Sequence, residues 1–467
     1  MTHMVGTASQ FEITRAERES LTTVSVMPQR ATSHVWTQFN EPRSPFFTHV
    51  KPWLLQGAIM VCVTRGTIPF LQDPNADAYG SGGGVSGTVI FLMITTVWII
   101  ATLLTLGHRN SKSITFDRVL LLSLPLLAIA STVWSVAPRI SVSMGFHLLL
   151  LTLLGIAIAY LYSLEDQMQL FMMTGLIAGI ASLVVAVIRP DIGLDHFGHS
   201  GALQGIFTHK NTCGSFMLFL FTPALFLRRV GSHGSLKIFA YGIFCAAIVF
   251  LSQSRTSVLL LVFILLLTSL FGVLKHFRSR DALFLVVILA AMAIPVVLLI
   301  VANQDALVEA LGKDSTFSGR TFVWQAVLLA IAKKPLLGYG YMAFFSSRSA
   351  GAGDLSTSVG FSVNHAHNGF LMVGLDMGLA GLAIVALTLV RAIYNMWRVW
   401  TRGLGRKAEW YALLIVLVIL ANLDERGLAS ANDLSWLLFV VACAGLCRLA
   451  REASSFTHLK TESANSS

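Results

Sequence analysis

The chain has 467 residues, 55% of them hydrophobic and only 12% charged, with a mean hydropathy of +0.72. A soluble globular domain carries about a quarter charged residues, so this composition excludes an ordinary soluble fold and points to a polytopic helical membrane protein. The formal net charge of +10 is spread over short loops between apolar runs, with no basic domain of interleaved aromatics, so no nucleic-acid partner is expected.

Residues 1–50 are polar and mixed in charge, without a basic start leading into a short apolar core and a small-residue cleavage site. They read as a flexible cytoplasmic tail rather than a cleaved signal. Twelve spans follow, drawn against a hydrocarbon core of about 30 Å, some only marginally long enough and the eleventh short. Nine fall within 51–302, at 53–71, 85–106, 118–135, 141–162, 168–188, 211–228, 236–252, 256–274 and 282–302; the first is interrupted by Arg65 and Pro69. Three more fall within 367–450, at 367–391, 409–422 and 434–449, and 451–467 reads as a cytoplasmic tail. The connection 303–366 is the longest and is expected on the periplasmic side. Within it, 320–334 predicts a helix of roughly 22 Å, too short to span, ended by Pro335 and suited to the interface. The small-residue stretch 346–360 predicts a loop, either a mobile lid or an ordinary flexible segment.

With the N-terminal tail in the cytoplasm, Arg109, Lys112, Arg118, Arg228, Arg229, Lys275, Arg278, Arg391, Arg398, Arg402 and Arg448 fall on the cytoplasmic side, as the positive-inside rule requires. The acidic connection 163–167 does not contribute. The opposite face is poor in positive charge except at Arg139, Lys210, Arg255 and Arg320, and it also carries His365 and His367.

Each of these residues has a structural reading beside a functional one. Arg255, in Ser254-Arg255-Thr256, is pinned between two spans; it either anchors a helix end or offers a planar fork to phosphate oxygens. Arg320 opens the loop helix, where a cation opposes the dipole, so anion binding suits it better. In Asn364-His365-Ala366-His367-Asn368 a neutral imidazole suits a general base, and Asn368 is placed to fix its tautomer; the alternative is a helix cap beside a solvated histidine. Histidines two apart face different ways on a helix, and no nearby carboxylate or cysteine completes a metal set, so no metal is expected. Lys210 is a second candidate cation for a diphosphate, with Asn211 as helix cap; Lys210 and Arg139 could equally be interface anchors. Asp424, Glu425 and Arg426, between the last two spans, are explained by an ion pair, or by one carboxylate acting as acid or base. The cysteines Cys62, Cys213, Cys245, Cys443 and Cys447 read as small apolar fillers. No nucleotide-phosphate loop is present, so the donor is expected to bring its energy in a lipid diphosphate.

Taken in order, Trp134-Ser135 with Pro138, Gly205-x-Phe207-x-His209-Lys210-Asn211, Ser254-Arg255, Arg320-x3-Trp324 running to Pro335-Leu336-Leu337-Gly338-Tyr339-Gly340, and His367-Asn368 followed by Gly378-x2-Gly381 resemble the O-antigen ligase and Wzy-type polysaccharide polymerase superfamily of bacterial envelopes. Lys210-Asn211 and Asn422-x-Asp424-Glu425 are most similar to its exopolysaccharide-production (ExoQ-type) branch. The resemblance implies an all-α, GT-C-like membrane glycosyltransferase of about twelve helices in the inner membrane, with its site facing the periplasm. It implies an undecaprenyl-diphosphate-linked oligosaccharide donor, a glycan or lipid A-core acceptor, other polysaccharide assembly proteins as partners, and a metal-independent, cofactor-free, inverting transfer. Carried over by motif, Arg255 and Arg320 hold the diphosphate and His367 activates the acceptor hydroxyl, with Lys210, Arg139, His365, Asn211 and Asn368 as binding residues. Polymerisation of repeat units leads over ligation to lipid A-core or protein. A transporter would need ionisable groups at mid-membrane, where Arg65 is the residue to examine, and a non-catalytic scaffold would tolerate loss of Arg255 or His367.

Overall fold

A computed structural model describes residues 115–195, 201–230, 235–274, 318–346, 350–359 and 363–465. The spans expected at 53–71, 85–106 and 282–302, together with the N-terminal tail, Arg65 and Cys62, lie outside the described residues. Twelve helices are described: α1 (Phe116–Ala130), α2 (Pro138–Leu161), α3 (Leu164–Ile188), α4 (Pro190–Gly193), α5 (Lys210–Val230), α6 (Ser235–Leu251), α7 (Arg255–Leu274), α8 (Ser318–Lys333), α9 (Ala350–Val359), α10 (Gly369–Thr401), α11 (Gly405–Ala421) and α12 (Leu434–Asn465). A single antiparallel ladder pairs β1 (Leu194–Asp195) with β2 (Ala202–Leu203) and steers the chain into the turn before α5.

Local chemistry sets several of these starts. Pro138 opens α2 where its missing N–H costs nothing. The Ser163 hydroxyl caps α3 by accepting from the Asp166 N–H at 3.2 Å, with Glu165 and Asp166 in the first turn, so the acidic connection has a helix-capping role. Among the described residues, five helices are long and apolar enough to cross a membrane, covering Phe116–Val133, Pro138–Leu161, Leu164–Ile188, Gly369–Thr401 and Leu434–Ser454. In α12 that span is 89% buried, against 33% in α1 and α3, so α12 is the central post and the other two face outward. Outward-facing Val187, Ile188, Leu236 and Leu266 stay exposed, as helices meeting lipid require. The protein is a polytopic helical membrane protein.

α12 packs on α2, α10 and α11, and α5 packs on α3 and α6. Buried polar contacts fix the register: Trp436 Nε1 donates to Thr152 Oγ1 at 2.9 Å, Tyr411 to Gln167 Oε1 at 3.0 Å and Trp410 Nε1 to Thr222 Oγ1 at 3.2 Å. Such bonds between spans are worth about 0.6 kcal/mol each. Cys213, Cys245, Cys443 and Cys447 are buried free thiols.

The longest helix is broken. Within α10, Gly378 has φ 61° and ψ −157°, a conformation essentially reserved for glycine. The segment after α8 docks on the break. Leu379 and Ala380 donate to the carbonyls of Pro335 and Leu336 at 2.8 and 3.1 Å, while Tyr339 and Gly340 donate to Leu375 and Asp376 at 2.9 and 3.0 Å. Backbone groups freed by the break are thereby satisfied by protein, as an apolar solvent demands. Two stretches singled out in the sequence, 335–340 and 378–381, are thus two sides of one joint.

The stretch 346–360, expected as a loop, is in part the helix α9, whose Leu355 is buried with Val323, Val327, Phe344 and Phe345. The last span continues as helix to Asn465, beyond the limit of 449 expected for it.

Candidate active site

One end of the bundle gathers the starts of α5, α7, α8, α10 and α12 and the end of α11. The connection 422–433 runs through the middle of them, held from within by Asn422. That buried side chain accepts from the Gly427 and Leu428 N–H groups at 2.7 and 2.5 Å and donates to the Val418 carbonyl at 2.8 Å. Its own carbonyl accepts from the Gly369 N–H at 2.8 Å, tying the connection to the start of α10.

Asp424 is the junction of the cations. Arg320, in the first turn of α8, forms an ion pair with the Asp424 carboxylate and also donates to its backbone carbonyl at 3.4 Å. Thr256, next to Arg255 in the first turn of α7, donates to the other carboxylate oxygen of Asp424. Lys210 begins α5, is buried, and lies within electrostatic reach of Arg255 and Asp195. Arg255 is exposed at the same mouth. Burial lowers the pKa of Arg320, opposed by the charge of Glu425.

The two histidines sit on a non-helical stretch before α10, and their ring centroids are 3.9 Å apart. The carbonyl of Ala366, between them, accepts from Trp324 Nε1 of α8 at 2.9 Å, so the loop helix positions the imidazoles. His367 has φ 49°, a left-handed conformation that is costly for a residue with a Cβ. Its Nδ1 is buried without a hydrogen-bond partner. Burial first, then the guanidinium of Arg320, brings its pKa down to about 4. Burial and Arg426 lower that of His365 further. Both rings are neutral at physiological pH.

Glu425 completes this group. His365, His367 and Glu425 each bring one nitrogen or oxygen within 4.8 Å of the others, which overturns the sequence argument that no carboxylate lies near the pair. Asn211 Nδ2 donates to Glu425 Oε1 at 2.9 Å. Asn211 is therefore aimed at the carboxylate, and the capping expected of it passes to His209, whose Nδ1 accepts from the Asn211 N–H at 3.2 Å. Burial raises the Glu425 pKa, opposed by the Asn211 bond. Asn368 is likewise a cap: its Oδ1 accepts from Phe370 and Leu371, both at 3.0 Å, and its Nδ2 donates to the Leu423 carbonyl at 3.2 Å. Those bonds occupy the amide that the sequence reading placed beside an imidazole.

Beside Glu425 an open cleft is lined by Thr212, Ser215, Phe216, Asn422, Glu425 and Arg426 among others. Arg139 is exposed in the first turn of α2, where the preceding turn meets the 337–341 segment through Trp134 Nε1 donating to the Leu337 carbonyl at 3.0 Å. A further ionisable group, Asp376, lines a second small cleft with Tyr341, Met342 and Arg426. One carboxylate in a long apolar run is itself a signal of function in a membrane helix, and the sequence reading passed over it.

Residues 240–386, which include Arg255, Arg320, His365 and His367, match the Wzy_C family, described as O-Antigen ligase. The exopolysaccharide production protein ExoQ of Rhizobium meliloti (strain 1021) is 27% identical over 275 residues, covering 56% of this chain and 61% of that protein. The chain thus spans about three-fifths of the length of the curated relative it matches. These matches bear out the resemblance to the O-antigen ligase superfamily and its ExoQ-type branch.

Proposed function

We propose that this protein is a membrane glycosyltransferase that joins undecaprenyl-diphosphate-linked oligosaccharide repeat units into exopolysaccharide or O-antigen at the periplasmic face of the inner membrane. The observation that carries this reading is the gathering of Thr256, the neighbour of Arg255, with Arg320 and His367, from three distant stretches of chain, around the 422–433 connection.

In this reading the donor's diphosphate lies against Arg255 and Arg320, with Lys210 nearby, and the acceptor sugar approaches through the cleft beside Glu425. The neutral His367 imidazole takes the proton from the acceptor hydroxyl as its oxygen attacks the anomeric carbon. The bond from that carbon to the diphosphate oxygen breaks, the configuration inverts, and the lipid diphosphate leaves with the electron pair. Charge on the leaving group grows towards the transition state, so preorganised guanidinium groups favour that state over the bound substrate. Asp424 holds Arg320 in place in the absence of substrate.

A second reading has its own support. The matched family is described as O-antigen ligase, so transfer of finished glycan to lipid A-core or protein is the alternative acceptor chemistry on the same site. A deletion strain complemented with wild type or Arg320→Ala, analysed by glycan gels and extraction of the carrier lipid, tests both. Single repeats on the carrier in the deletion mark a polymerase, and long chains retained there mark a ligase. Arg320→Ala is expected to reproduce the deletion with a loss of about 10²–10³ in rate. Wild-type glycan from that variant would remove Arg320 from the mechanism.

A further inference from the structure

The three-way approach of His365, His367 and Glu425 has the donor set of a metal site, although the family resemblance implies transfer without metal. Two neutral imidazole nitrogens and one carboxylate, with a fourth position open, are a frequent protein ligand set for zinc. Several features are independent of the simple proximity. His367 Nδ1 is buried with no hydrogen-bond partner, which leaves its lone pair, or its proton, unmet. The non-helical backbone at 363–368 turns two histidines that would diverge on a helix into a facing pair. Glu425 is oriented by Asn211 Nδ2 at 2.9 Å, and the histidine loop is held by the Trp324 bond to Ala366 at 2.9 Å; supporting contacts of this kind orient ligands around a metal.

The surrounding charges leave room for a cation. Arg320 is already met by Asp424, and Asp433 lies within electrostatic reach of Arg426, so the Glu425 carboxylate is not the only counter-charge for the two guanidinium groups. Ligand atoms around a tetrahedral zinc stand about 3.3 Å apart, so the set would close by up to about 1.5 Å from its present limit of 4.8 Å. Both contributing segments are connections between helices, where side-chain rotation can supply that movement.

We propose that His365, His367 and Glu425 form a three-ligand site for a divalent transition cation of the zinc class. The consequence for transfer rests on the function proposed above. An imidazole whose lone pair is held by a metal ion cannot accept a proton, so an ion bound here removes His367 as general base and inhibits the enzyme. Removal of the ion by a chelator restores transfer.

The test uses the full-length chain in detergent, with Co²⁺ absorption and Zn²⁺ calorimetry reporting binding separately from a transfer assay. Stoichiometric binding is expected in the wild type. Glu425→Gln, which keeps the side-chain shape, should weaken it by more than the 10–100-fold typical of losing a supporting residue, and Asn211→Ala should weaken it within that range. Gel filtration and thermal unfolding identify any variant that has lost its fold, and the Asn211 variant keeps the test decisive if Glu425→Gln fails. Absence of binding, or binding that neither substitution alters, overturns the site. Site-specific binding that leaves transfer unchanged or stimulates it upholds the site and overturns the base role assigned to His367.

Discussion

His367 holds a left-handed backbone at φ 49°, where asparagine is among the few non-glycine residues at ease. That separates its two contributions, the strain and the imidazole. His367→Asn should retain the wild-type unfolding temperature yet lose about 10²–10⁴ of transfer rate, the usual share of a general base. His367→Ala should lose the same activity and about 1–2 kcal/mol of stability as well. A transfer assay on extracted lipid-linked repeats, paired with thermal unfolding in detergent, distinguishes them; an active His367→Asn protein would deny the imidazole its role. At this scale residue types were legible, because cations and imidazoles stood out against nearly uncharged spans. Their partners were not. Arg320 meets Asp424 across 104 positions of sequence, and within the tripeptide Asp424-Glu425-Arg426 the two carboxylates reach Arg320 and Asn211, both distant in the chain.

Among elements, the joint between α10 and the 335–340 segment is the feature most sensitive to substitution. A Cβ at Gly378 would strain the backbone by about 1–3 kcal/mol and collide with the carbonyl of Leu336. Gly378→Ala is therefore expected to lower the yield of folded protein and its unfolding temperature, and to loosen α8, whose C-terminal continuation is that segment. Unfolding in detergent measures the first effect. Accessibility of a cysteine placed at Phe322, exposed on α8, measures the second. An unchanged unfolding temperature would mean that the break is not the docking point. Hydropathy placed most described helices to within a few residues, since an apolar run of sufficient length has few alternatives in a membrane. It gave no sign of the break, because glycines at 378 and 381 are compatible with a packed, unbroken span. It also missed α9, because Gly, Ser and Ala carry little periodic signal and the helix depends on burial of Leu355.

Across the molecule, the two ends differ in how their cations are used. At the candidate site the charges are drawn into pairs across one connection. At the other end, Arg391 meets Asp117 at 3.0 Å, Arg448 donates to the Tyr162 carbonyl at 2.8 Å, and Arg398 and Arg402 both donate to Ser454 Oγ, at 2.7 and 2.8 Å. That end therefore sets several arginines beside carbonyls and hydroxyls, with Arg391–Asp117 and Arg448–Glu452 as ion pairs among the described residues. On the transfer proposed above, the positive-inside rule puts that end in the cytoplasm and Arg255, Arg320 and His367 in the periplasm, where a lipid-linked donor already carried across the membrane would meet them. The four described cysteines are buried, so a background with Cys62 and those four replaced admits single reporters. Thr208→Cys lies exposed at the site end and Gly403→Cys is exposed at the opposite one. In intact cells whose outer membrane admits the reagent, an impermeant maleimide should modify the first directly and the second only after the inner membrane is opened. The reverse pattern would put the cluster in the cytoplasm, out of reach of a periplasmic donor, and the transfer proposed here would have no substrate on its side of the membrane.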